Sequence, residues 1–149
     1  MADRINNERL NDALIDLGRS LLQYAGESWP WTSQDEAGER EAVERMVAEQ
    51  RSTVLQLAEL LDERAHRITY GQYPSEYTSL HYVALDYLLD QLASQQQSLA
   101  EELTATAAGL TDDEHAHAIV TAAAEQAARH QRELEALIAQ RKSPAVAGA

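Results

Sequence analysis

Cysteine is absent from the 149-residue chain, which removes disulfides, thiolate nucleophiles and cysteine-ligated zinc together. Phenylalanine is absent as well, and glycine and proline number only 6 and 3. Strands and hairpins therefore lack their usual residues, whereas 26 Ala and 19 Leu suit helix interiors, so the fold class is all-α. No apolar run has the length to span a bilayer, and Met1 to Glu8 lacks the basic-then-apolar form of a signal peptide. Cations are scarce too. With 12 Lys and Arg against 25 Asp and Glu, the net charge of −13 repels nucleic-acid phosphates and anionic lipid. Neither nucleic acid nor membrane is expected as a partner, and the chain reads as cytoplasmic. Its length suits one domain with a single core. No G-x-S-x-G turn, glycine-rich phosphate loop or G-x-G-x-x-G is present. No catalytic or cofactor-binding residue is assigned, and no cofactor is expected.

Helix punctuation divides residues 1–142 into four segments. The first runs from about Asp3 to Ala25, with Gly26 as its left-handed terminator. Ser33 and Glu36 form a capping box for the second, which continues to Thr69 before Gly71, roughly 50 Å at 1.5 Å per residue. Ser75 caps a third helix ending at Ala108 and Gly109, and Thr111 with Glu114 opens a fourth that closes on Arg141 and Lys142. Residues 143–149 read as a disordered tail. Each segment has one apolar stripe: Leu10, Leu14, Leu17 and Leu21; Val43, Val47, Val54, Leu57, Leu61 and Ile68; Leu85, Leu88, Leu92, Leu99 and Leu103; Val120, Ala123, Ala127, Leu134 and Ile138. Short loops make neighbours antiparallel, so the expected architecture is an antiparallel up-down-up-down four-helix bundle. A dimer of helical hairpins is its rival, because the second stripe is a heptad series interrupted by Gln50 and Arg64.

Glu63-Arg-Ala-His66 has the E-x-x-H spacing of metal-binding bundles. On this motif and the acidic four-helix layout, the chain resembles the ferritin-like superfamily, which implies a carboxylate and histidine metal site with Glu63 and His66 among its ligands. The projection opposes that implication. With Leu61 centred on the buried face, Glu63 points at about 200° and His66 at about 140°, both toward solvent. No metal is therefore expected, and the favoured function is a non-enzymatic protein-interaction or ligand-binding module, the ferritin-like metal-binding protein being the alternative.

Tyrosine is unevenly spread: Tyr70, Tyr73, Tyr77, Tyr82 and Tyr87 fall within 18 positions, next to His81. They either plug one end of the bundle or make a contact surface, since Tyr covers apolar area while keeping a polar tip. Tyr70, Tyr73, Tyr77 and His81 form the first candidate surface for an unknown protein partner or small ligand. Trp29 and Trp31 bracket Pro30 at the expected opposite end, as a hydrophobic lid or a second surface. By projection His81 and His130 sit on buried or half-buried faces, roughly 15 Å apart along the axis, while His115 and His117 face outward. Seven alanines between Ala116 and Ala128 leave room for close helix approach, so a homo-oligomer stays open.

Overall fold

The computed structural model describes residues 2–30 and 34–142, apart from the side chains of Ala2, His81 and Tyr82. Among them there is no strand, and the all-α expectation holds. The expected first helix is two: α1 (Ala2–Gly18) and α2 (Leu21–Glu27). Ser20 makes the break, with an extended backbone and a hydroxyl that accepts the Gln23 N–H. That hydroxyl also donates to Gln50 Oε1 at 2.9 Å, anchoring the break to the next rod. Gly26 lies inside α2 and serves close packing instead of termination, because a Cβ there would stand 2.9 Å from Val47 Cγ1.

Gln34–Glu36 form a 3-10 turn that leads into α3 (Ala37–Glu63). Ser33, and with it the capping box read from sequence, lies outside the described residues; Glu36 occupies the N-cap position of α3. It also stops six residues early. His66 N–H bonds Leu61 O and Ala65 N–H bonds Asp62 O, both at 2.9 Å, with Ala65 left-handed at φ 54°. This is a Schellman stop carrying alanine where glycine is usual. Residues 66–74 are irregular, Ser75–Tyr82 form a 3-10 helix, and only then does α4 (Leu85–Ala108) begin. α5 (Glu114–Lys142) is capped by Asp113, not Thr111. Asp113 Oδ1 accepts the Ala116 N–H, while its carboxylate takes two bonds from Arg64 at 2.7 and 2.8 Å. The Arg64 guanidinium holds the Asp113 carboxyl below the usual carboxylate range.

Rod direction corrects the expected order. Asn6 meets Asp112, and Arg64 meets both Asn7 and Asp113, so the start of α1, the end of α3 and the start of α5 share one pole. At the other pole Arg141 bonds Asp86 and Glu36. α1 with α2 therefore runs up, α3 down, α4 down again and α5 up. An up-down-up-down order requires a short turn between α3 and α4. Here residues 64–84 return along α1 to the upper pole before α4 starts. The α4–α5 interface is the most extensive, followed by α1 and α2 on α3.

The core divides in two. Leu10, Leu14, Leu17, Leu57, Leu61, Leu99, Leu103 and Val120 belong to the lower cluster, and Leu21, Val43, Met46, Leu88, Leu92 and Leu134 to the upper. Val54 and Ile68 border the first and Ile138 the second, all partly buried. Between the clusters each rod supplies buried polar residues: Ser20 and Gln23, Gln50 and Thr53, Gln96, and His130. Gln50 Oε1 accepts from Ser20 Oγ at 2.9 Å and from Gln23 Nε2 at 3.0 Å. Gln50, read as a heptad interruption, is thus one member of a polar layer through all four rods.

Candidate functional site

The crossover of residues 64–84 is fastened to α1 and α2 by side chains that satisfy its irregular backbone. Asn11 Nδ2 donates to Thr69 O and Oγ1, and its Oδ1 accepts the Thr69 N–H, each at 2.9 Å. Arg19 Nε donates to Tyr70 O and Gly71 O at 3.2 Å. Gly71 is needed at that point: its φ is +68°, and a Cβ would lie 2.9 Å from Ile15 Cγ2.

Beyond Gly71 the fastening is aromatic. Tyr24, Tyr73 and Tyr77 form a triad with ring centroids 5.2, 5.6 and 6.4 Å apart, and the Arg19 guanidinium lies 4.9 Å from the centre of the Tyr73 ring. The Tyr73 hydroxyl donates to Glu27 Oε1 at 3.1 Å. Gln95 Nε2 donates to the Tyr77 oxygen while Gln95 Oε1 accepts the Leu21 N–H, both at 2.5 Å. Burial raises both phenols above their ordinary value, with Glu27 adding to the rise at Tyr73. Both stay neutral at physiological pH.

A cleft of about 250 Å³ opens where the crossover bridges α1 and α4. Gln72, Pro74 and Tyr77 roof it, Ile15 and Leu99 give it apolar walls, and Asp16, Arg19, Ser20, Gln95, Ser98 and Glu102 supply the polar groups. Burial raises the Asp16 carboxyl above its usual range, and the carboxylates of Glu102 and Asp12 add to the shift. The cleft therefore presents two exposed carboxylates, Asp16 and Glu102, beside an aromatic ring. Arg19, its cation, is engaged by two crossover carbonyls and Tyr73.

The structure brings Tyr73 and Tyr77 together, both partly buried, and leaves Tyr70 53% exposed on the crossover backbone. The His81 side chain lies outside the described residues. Tyr73 and Tyr77 do not plug a bundle end: the crossover lays them along the flank of α1 and α2. Nor are they opposite Trp29, because Tyr73 bonds Glu27, two residues before it. Trp29 packs on the upper core cluster, and Trp31 lies outside the described residues. Glu63 is exposed and His66 partly so. With α3 ended at Glu63 and the Schellman turn intervening, the two do not share a helical face. Among the described residues no group of three or more His, Asp or Glu could hold a metal ion, and no helix is long and apolar enough to cross a membrane. His115 is exposed, and His117 Nδ1 lies 2.9 Å from Ala107 O.

Sequence reasoning missed Asp16, Arg19, Tyr24, Gln95, Ser98 and Glu102. Only Tyr24 carried a signal, as the one tyrosine outside the rich stretch; the rest become visible when the crossover path is known. No protein-family model matches the chain, and neither a curated protein nor a solved structure matches it.

Proposed function

We propose that this chain is a non-enzymatic binding module that takes a small amine-bearing ligand in the cleft beneath the crossover. The observation that carries the reading is the cleft itself, where Asp16 and Glu102 face a half-buried space closed on one side by Tyr77. A protonated amine there relieves carboxylate repulsion, and an alkyl chain behind it covers Ile15 and Leu99. The net charge of −13 draws cations toward the molecule at low ionic strength. Among the described residues no cleft hydroxyl is bonded to Asp16 or Glu102, which favours binding over catalysis.

The same reading takes the four rods as a four-helix bundle whose one long crossover matches the connection used in ferritin-like folds. That likeness supports architecture alone, because the inward carboxylate and histidine set of a di-metal site has no counterpart among the described residues.

Titration with linear alkyl diamines, followed by backbone amide shifts, tests the proposal. Saturable shifts at Ser20, Gln95 and Ser98 are expected, weakening with added salt. Ser98→Trp fills the cleft from an exposed position and abolishes them while the melt is retained. Shifts that never saturate, or that survive Ser98→Trp, overturn it.

A further inference from the structure

The polar layer between the core clusters contains atoms that the protein does not satisfy. Gln96 is 0% exposed, yet neither its Nε2 nor its Oε1 has a hydrogen-bond partner among the described residues. His130 is 3% exposed, with Nε2 at 3.1 Å from Glu49 Oε1 and Nδ1 without a partner. Buried amides and imidazoles normally find partners in protein or ordered water, because an unmade bond carries the full cost of desolvation. The other polar groups at this level have commitments of their own. Gln50 Oε1 takes Ser20 and Gln23, Gln23 Nε2 also reaches Val47 O at 2.9 Å, and Thr53 Oγ1 donates to Gln126.

We propose that the layer is an internal hydration site, with at least one long-lived water held by the Gln96 carboxamide. The donor set selects the guest. Amides, hydroxyls and a neutral imidazole offer no net charge to a metal ion or an anion, and Glu49, the carboxylate that meets His130, has a 45% exposed side chain. Water alone among abundant small guests both accepts from Nε2–H and donates to Oε1. The same chemistry suits His130: with Nε2–H directed at the Glu49 carboxylate, Nδ1 is a bare acceptor that a water O–H fills.

Water oxygen-17 relaxation dispersion on the full chain reads the number of long-lived internal waters. The unaltered protein is expected to show a dispersion whose amplitude falls by at least one water in Gln96→Leu. Equal amplitudes in the two proteins, or no dispersion in the first, overturn the proposal. Should Gln96→Leu fail to fold, water cross-relaxation at the Gln96 side-chain amide of the unaltered protein decides it. Cross-peaks with the sign of a bound water support the site, and their absence overturns it.

Discussion

Ala65 is the residue at which local chemistry and fold disagree most openly. It is exposed, so no packing accounts for a methyl group in the left-handed region at φ 54°. An L-residue there loses about 1–2 kcal/mol relative to right-handed backbone, and the extra freedom of an unfolded glycine returns part of that. Ala65→Gly is therefore expected to stabilise by about 0.5–1 kcal/mol, read from the urea midpoint at unchanged slope. His130 gives a pH dependence of determined sign. Burial lowers its folded pKa, with Glu49 and Glu133 partly opposing and Arg45 reinforcing the shift. The unfolded chain thus binds a proton more readily than the folded one, and stability falls as pH drops from about 6.5 through the lower folded value. His130→Gln should flatten that slope in melts taken across the window; an unchanged slope would assign it to other groups.

At the scale of the element, the crossover is held by hydrogen bonds and rings at its own level more than by core leucines. Gly71 is its tightest point, since left-handed backbone and the approach to Ile15 coincide. Gly71→Ala should cost about 2 kcal/mol from backbone strain, and more if Ile15 cannot shift. Hydrogen exchange should rise over residues 66–74 while the α4–α5 pair keeps its protection; a uniform rise would show that the crossover does not open separately. The apolar stripes were legible in the sequence because 3.6-residue periodicity survives any change of topology. Helix ends were less so. Ser20 caps a helix inside a continuous apolar series, and Ala65 occupies the position where glycine announces a stop. The cleft was illegible for a further reason: Asp16, Gln95 and Glu102 converge only because residues 64–84 lie across α1 and α4, and periodicity says nothing about that path. Gln96, spaced between Leu92 and Leu99 on one helical face, was a polar interruption open to notice.

For the molecule as a whole, the parallel course of α3 and α4 is the feature that separates this topology from the simpler one. Spin labels at the exposed positions Glu44, Glu59 and Glu101 test it by pulsed dipolar distances. In the observed order Glu59 and Glu101 share the lower half, so their separation is the shorter one and Glu44 to Glu101 the longer. Reversal of that ranking would restore an up-down-up-down arrangement. The parallel relation of α1 to α5 has a consequence for attachment. Ala2 lies at one pole and Lys142 at the other, separated by roughly the 29-residue length of α5, about 43 Å at 1.5 Å per residue. The domain is a strut with two distinct ends. Fusions joined at the two ends are held apart instead of crowding one another, and a circular permutant needs a linker of at least about 13 extended residues to connect them.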